Sequence, residues 1–442
     1  MKNRSALILI VPFALVFLLP GIQKEAKLIP VAPLKSVFQP AKKLSLTGLN
    51  WFSGDFQLNF EKYLKDNIGL RPVFVRIYNQ CNYSLFGMPS YGGVSIGNNG
   101  VLYQPGYLST YKGEDFAGSA RIDSFVRRMK IVQDELKRKN KYFLFIIAPG
   151  KVNIYPEIIP DKTGLKKVDT TNLEVMVDRL GKYNVNHIDF CAYFKTIRDT
   201  VHYPFFTKYG THWSGSAVSL VMDTIFKRIE KATGEKLVNY DNSKGYSTNK
   251  DLKFTDADLA NYMDLVFRLK PDSVYYPIYV FDTSAARSCG MLIIGDSFCQ
   301  SFWGFDNVFP RVFSDSSMFW GYYRHKEWPT NKSMSMPINA FYLDEYLRNI
   351  DVVLLESVDM NLNLFGYGFI DDLYCVYARP ENAKEHLAAR IRENIIFWAR
   401  MNDERFLVQK IADEMQITVD SAYQVYALKK QKEFYETKKI LY

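Results

Sequence analysis

Apolar residues recur in two rhythms along the chain. Between Asn59 and Phe86 they fall three or four apart, as at Phe60, Tyr63 and Leu64, which predicts amphipathic helix divided in two by Gly69 and Pro72. Asn98-Asn99-Gly100 lies between short apolar runs. Asn and Gly tolerate positive φ, so a hairpin is expected within 91–107. Ala120 to Arg138 returns to helical spacing. Tyr142 to Ala148 is continuously apolar, ends at Pro149-Gly150, and predicts a strand buried on both faces. Three more strands are expected at Val185–Phe190, Met291–Ile294 and Val352–Leu355, separated by helical stretches such as Leu173–Leu180 and Ser216–Lys231. Strands alternating with helices predict an α/β domain on a mainly parallel sheet. After Tyr377 the pattern changes. Arg379-Pro380 interrupts it, and 381–440 holds neither Gly nor Pro. Two or three helices are expected there, among them Asn382–Ala399 and Val419–Lys438.

Composition narrows the class. A chain of 442 residues with 48% hydrophobic content can bury a sizeable core, and 30 Tyr with 32 Phe suit a globular protein with aromatic-lined surfaces. The net charge is +9, but no Lys/Arg block exceeds three residues. That spread argues against nucleic acid as the partner and fits attraction to an anionic surface or polymer. The five cysteines form no CxxC pair, so neither a disulfide framework nor a zinc site is expected. There is no HExxH, EF-hand or glycine-rich phosphate loop, and no metal or cofactor is expected.

The N-terminus reads as a targeting signal. Lys2 and Arg4 precede an apolar run from Ala6 to Leu19 that only Pro12 breaks. No small-x-small cleavage site follows. Residues 1–22 are therefore expected to be an uncleaved signal anchor, and 23–45, with several Pro and Lys, a linker. A cleaved signal leaving a soluble product is the alternative. Either way the remainder is expected outside the cytoplasm.

Two short segments carry chemistry. Met291-Leu292-Ile293-Ile294-Gly295-Asp296-Ser297-Phe298 is a buried strand ending in Gly-Asp-Ser. Ligands of open parallel sheets bind at the carboxyl ends of strands, so Ser297 is placed as a nucleophile. Gly295 and Asp296 would form the turn, whose backbone N–H groups can face an oxyanion. Gly210-Thr211-His212-Trp213-Ser214 precedes a helix with Ser214 as its N-cap. A serine hydroxyl needs a base within hydrogen-bond reach, and His212 is the first choice among five histidines, with His325 second. Each segment read alone is also compatible with an ordinary strand–turn or a loop histidine.

Together these segments resemble the SGNH-hydrolase-like proteins that O-acetylate bacterial exopolysaccharides, of the alginate acetylation type. In that family a D-x-H-W motif precedes G-D-S-F. Gly97 to Tyr103, Pro149-Gly150-Lys151 with Tyr155-Pro156-Glu157, Asp258-Leu259-Ala260 and Val352 to Glu356 are similar to other family segments, in the family's order. The resemblance covers roughly 50–370. It implies a three-layer SGNH-hydrolase-like α/β domain over 46–378 and a C-terminal helical appendage over 379–442. The implied activity is an exported serine acyltransferase acetylating a cell-surface or secreted polysaccharide, with a membrane-bound acyl-transfer partner. A carbohydrate O-acetyl esterase, or a catalytically impaired polysaccharide-binding component of an assembly or secretion complex, are the alternatives.

One departure stands out. Gly210 occupies the place of the family's Asp, which orients the imidazole and stabilises its charged form. Asp189 and Glu356, at strand ends, are the candidate replacements. A Ser-His dyad and an inactive binding site remain open. Arg324, Trp303, Tyr103 and Lys151 are the candidate substrate contacts: Arg324 where the family supplies a basic contact, Trp303 and Tyr103 to stack on a sugar, Lys151 to meet an anionic glycan.

Overall fold

The computed structural model describes residues 18–36, 41, 46, 51–90, 92–160, 168, 170–328, 338, 340–401 and 404–436. Most of the expected signal anchor, and part of the expected linker, lie outside them. Among the described residues no helix is long and apolar enough to cross a membrane. The chain divides into two compact units.

The first unit comprises the described residues of Met1–Pro105 with Lys208–Gly210 and Ala257–Pro271. Its helices α1 (Asp55–Asn67) and α2 (Arg71–Phe86) are the predicted pair, with Pro72 in the first turn of α2, where a missing N–H costs nothing. The predicted hairpin follows. Strand β1 (Ser95–Ile96) pairs antiparallel with β2 (Leu102–Tyr103), and Asn99 (φ 56°) and Gly100 (φ 70°) take the left-handed turn. Val94, Leu102, Tyr209, Leu259 and Met263 form this unit's core.

The second unit holds a six-stranded sheet flanked by helices. In chain order it contains α3 (Ser119–Arg138), β3 (Tyr142–Ala148), α4 (Asn172–Lys182), β4 (His187–Asp189), α5 (Phe190–Ile197), α6 (Gly215–Thr233), β5 (Met291–Gly295), β6 (Met318–Gly321), β7 (His325–Trp328) and β8 (Val352–Val358). The strand order is β7-β6-β5-β8-β3-β4, with every pair parallel except β6 and β7. The central strands are buried along their whole length and largely apolar because both faces are covered, with Glu356 and Ser357 of β8 the polar exceptions. On one face Phe143, Phe145, Ile147, Leu292, Ile294, Val353 and Leu355 pack with α3 residues Ile122, Phe125, Val126 and Met129, whose spacing of three or four makes one apolar stripe. The alternate residues Leu144, Ile146, Ile293 and Leu354 are equally buried and face the other layer, where α6 lies against β3. This is the expected three-layer α/β domain.

The four predicted strands are present, and two more extend the sheet. The pattern did not foretell β6 and β7. Strand β7 reads His-Lys-Glu-Trp, too polar for an apolar run, because it is an edge strand, where charge discourages pairing with another chain.

The C-terminal helices belong to the same unit. Helix α7 (Phe369–Ala378) packs on α3, and α8 (Pro380–Met401), α9 (Arg405–Met415) and α10 (Val419–Glu436) follow. The last three share a small core of Ala399, Val408, Ala412, Ala422, Tyr423 and Tyr426. All five cysteines are free thiols, four of them buried.

Candidate active site

Strand β5 delivers Ser297 to the carboxyl edge of the sheet, where a 3-10 turn (Ser297–Gln300) begins. Ser214 caps α6 by accepting the Ala217 N–H, which fixes the loop carrying His212. The two motifs meet: His212 Nε2 lies 2.8 Å from Ser297 Oγ. His212 is buried and Ser297 half-buried. The tryptophan after the histidine locks the two loops together. Trp213 is fully buried and donates from Nε1 to the Phe298 carbonyl at 3.1 Å, while the Phe298 ring packs against the imidazole. A serine hydroxyl bonded to an imidazole, at the open end of a parallel strand, is the arrangement that activates a nucleophile.

The turn beneath Ser297 is held by a buried carboxylate. Asp296 Oδ1 accepts the Phe298 N–H at 3.0 Å. Its Oδ2 accepts from the Val358 N–H (3.0 Å), Asn361 Nδ2 (2.8 Å) and the Tyr367 hydroxyl (3.0 Å). Tyr367 reaches it from four consecutive left-handed residues, Phe365 to Gly368, two of which are not glycine. Such backbone costs free energy and persists where surrounding contacts hold it. Gly295 serves space rather than turn geometry. A Cβ there would lie 2.5 Å from Cys299 Sγ and 2.6 Å from Glu356 Oε2.

Neither candidate acid bonds His212. Asp189 Oδ1 caps α5 by accepting the Ala192 N–H at 3.0 Å. Glu356 is fully buried under the nucleophile turn. Its Oε2 accepts the Asp296 N–H at 2.9 Å and the Cys299 thiol, and Oε1 has no hydrogen-bond partner among the described residues. Burial, with the Asp296 charge beside it, pushes its pKa well above the ordinary carboxylate range. His325, the second-choice base, is paired with Glu327 and packed edge-on against Trp398 of α8.

Each of the four expected substrate contacts is engaged within the fold. Lys151 is 2% exposed and donates to the Thr207 carbonyl at 2.6 Å, so it is not an open glycan contact. Tyr103 is buried in β2 of the first unit, with no free ring face. Trp303 stacks on Phe319 and packs against Phe309 and Trp328 in an aromatic cluster. Arg324 lies over the Phe397 ring of α8 at 3.9 Å, and burial lowers its pKa.

The sequence reading missed Tyr322. It follows β6, its N–H bonds the Gly295 carbonyl at 2.8 Å, and its hydroxyl lies close to Ser297, interacting with both side chain and backbone. Tyr322 and Tyr323 are both left-handed, with φ of 50° and 53°. The second tyrosine is fully buried beside Asp372 of α7, outside hydrogen-bond geometry, and burial raises its pKa. Asp372 in turn is bonded by His386 Nε2 (2.7 Å) and Arg390 Nε (3.3 Å) from α8. The helical region is thus built against the turn that carries Tyr322. No sequence signal marks two left-handed tyrosines, since glycine or asparagine is the usual mark of that conformation. Among the described residues no group of three His, Cys, Asp or Glu could hold a metal ion.

Residues 94–311 match the family model described as SGNH hydrolase-like domain, acetyltransferase AlgX. Several solved structures resemble the chain, among them three of O-acetylation proteins. The O-acetyltransferase domain of Pseudomonas putida AlgJ is 14% identical, with a TM-score of 0.42, covering 64% of this chain and 99% of that one. Pseudomonas aeruginosa AlgX is 14% identical, with a TM-score of 0.39, over 63% of this chain and 67% of that one. Bacillus cereus PatB1 is 15% identical, with a TM-score of 0.33, over 55% and 91%. No curated protein matches the chain in sequence.

Proposed function

We propose that this chain, whose residues 94–311 match the SGNH hydrolase-like AlgX acetyltransferase model, is an exported serine O-acetyltransferase acting on a polysaccharide. The observation that carries the reading is the 2.8 Å contact between His212 Nε2 and Ser297 Oγ at the end of β5. Ser297 Oγ attacks the carbonyl carbon of the acyl donor while His212 Nε2 takes its proton. The tetrahedral intermediate collapses, the leaving group departs with the proton from His212, and acetyl remains on Ser297. A sugar hydroxyl then attacks the acetyl carbonyl, gives its proton to His212, and Ser297 Oγ leaves and recovers it. Water in place of the sugar gives the esterase reaction through the same acyl-enzyme.

Tyr322 is placed to donate to the developing oxyanion, the largest single contribution in many acyl transfers. With Asp189 and Glu356 engaged elsewhere, neither is the third member of the site. Gly210 is the feature that favours the rival reading, a polysaccharide-binding component without turnover. Lys2, Arg4 and the apolar run from Ala6 to Leu19 support export and membrane attachment. The family resemblance supports a membrane-bound partner that supplies the acetyl group. Residues 46–378 as the acyltransferase domain and 379–442 as its helical appendage complete the proposal.

The test is mass spectrometry after incubation with p-nitrophenyl acetate. One acetyl added at Ser297, absent in Ser297→Ala and strongly slowed in His212→Ala, is the expected result. A folded protein that gains no acetyl and releases no nitrophenol removes the enzymatic reading.

A further inference from the structure

Helix α2 of the first unit is built inside out. Phe74, Ile77, Tyr78, Cys81 and Leu85 fall three or four apart and make one apolar stripe, the face that ordinarily turns to a core. All five are exposed, Tyr78 by 68% and Leu85 by 73%. The residue that α2 buries is polar. Asn79 donates to the Met263 carbonyl at 2.9 Å and to the Asp264 carbonyl at 3.4 Å. Its neighbours hold the helix in the same sense. Arg76 donates to the Ala32 and Pro33 carbonyls at 3.0 and 2.7 Å, and Gln80 Oε1 accepts the Phe267 N–H at 3.0 Å. Directional bonds on the polar side therefore fix the apolar side outward. A contiguous apolar stripe on a surface marks a contact with a partner or with lipid.

Two further observations select lipid. The first is the tether. Ala32, which Arg76 bonds, lies ten residues after Ile22, the end of the expected signal anchor. Ten extended residues reach at most about 35 Å, and the helical backbone of residues 18–26 shortens that span. Helix α2 is thus held close to any bilayer that the anchor enters. The second is charge. No Asp or Glu lies between Arg71 and Met88, and residues 23–54 carry five Lys against Glu25 alone. Basic residues beside a membrane attract anionic headgroups. Phe and Tyr alongside Leu and Ile are the side chains that settle at the headgroup boundary.

We propose that the apolar stripe of α2 lies in an anionic phospholipid surface, with Phe74, Ile77, Tyr78, Cys81 and Leu85 about 5–10 Å into the boundary between headgroups and acyl chains. The proposal rests on the reading of residues 1–22 as a membrane anchor and adds a second contact to it. An anchor alone holds the chain by one flexible end. The stripe lays the first unit on the bilayer.

Cys81 supplies the probe, because the other four cysteines are buried. The full chain, labelled there with the polarity-sensitive dye NBD, is reconstituted into vesicles of phosphatidylethanolamine and phosphatidylglycerol containing nitroxide-labelled lipid. The emission should shift to the blue. A nitroxide near the headgroup end of the acyl chain should quench it more than one at the terminal methyl. Ile77→Glu/Leu85→Glu places a charge four residues to either side of Cys81, at exposed positions, and should lose most of the shift and the quenching. Equal quenching in this variant overturns the proposal, and so does a water-like emission in the wild type. A blue shift without lipid quenching identifies a protein occupant, a second copy or another segment of this chain, and also overturns it. The wild-type reading decides by itself if the variant fails to fold. An alkaline carbonate wash after the fluorescence reading tests the anchor separately. Unquenched Cys81 in a chain that resists the wash removes the stripe contact and keeps the anchor, whereas quenched Cys81 in a chain that washes off does the reverse.

Discussion

Replacing Asp296 with Asn should destabilise the fold and slow acylation together. The wild-type carboxylate accepts four hydrogen bonds, one at Oδ1 from Phe298 and three at Oδ2 from Val358, Asn361 and Tyr367. An asparagine keeps one oxygen and gains an NH2 that accepts nothing. Its best placement leaves the oxygen at the three-bond position and turns the NH2 toward the Phe298 N–H. That buried donor then faces a donor, at a cost of roughly 1–3 kcal/mol. The three remaining bonds lose their charge assistance, about 1 kcal/mol each. Removing a buried charge offsets part of this, so the net loss is roughly 3–5 kcal/mol. Urea denaturation followed by Trp fluorescence reads the stability. Single-turnover acetylation with p-nitrophenyl acetate reads the nucleophile, whose displacement by about 1 Å is worth about 100-fold in rate. A stability change under about 1 kcal/mol with an unchanged urea slope would refute the claim that this carboxylate holds the turn.

Tyr322→Phe keeps the ring against Tyr367 but removes the hydroxyl near Ser297; kcat for ester hydrolysis should fall about 10- to 100-fold, with KM little changed. Arg390→Ala leaves the fully buried Asp372 with His386 alone and should cost roughly 3–5 kcal/mol in chemical denaturation. Asp359 titrates at about 6 in the fold against an ordinary 3.8. Its folded pKa is the higher one, so its contribution to stability is complete below about pH 4 and is lost as pH rises through about 6, a loss of about 3 kcal/mol. Denaturation midpoints at pH 4 to 7 should show that loss in the wild type and a flatter profile in Asp359→Asn.

Much of the candidate site was legible because its serine and histidine sit where local rules act. Ser297 follows an unbroken apolar strand, and His212 precedes a helix announced by its Ser214 cap. Spacing and capping chemistry place the two segments, and the family resemblance joins them as a pair. The surrounding residues are tertiary. Glu356 reads as a strand-end acid and becomes a buried carboxyl under Gly295, because β8 is the spatial neighbour of β5 although it lies about 60 residues later. Lys151 and Tyr103 look like surface contacts by residue type, and only packing buries them. Tyr322, Tyr367 and Asn361 reach the turn from left-handed or irregular backbone, which leaves no periodic trace. In the fold, the three apolar strands and the more polar β4 were visible, and β6 and the charged edge strand β7 were not.

The bracing of Tyr323 by Asp372, His386 and Arg390 has a consequence for the order in which the protein matures. Ser297 and His212 are joined by segments complete once β8 is in place. The turn that presents Tyr322 is backed by residues that emerge from the ribosome only with α8. A nascent or prematurely terminated chain ending before His386 therefore leaves the buried Asp372 without its two cationic partners and the turn that presents Tyr322 without its backing.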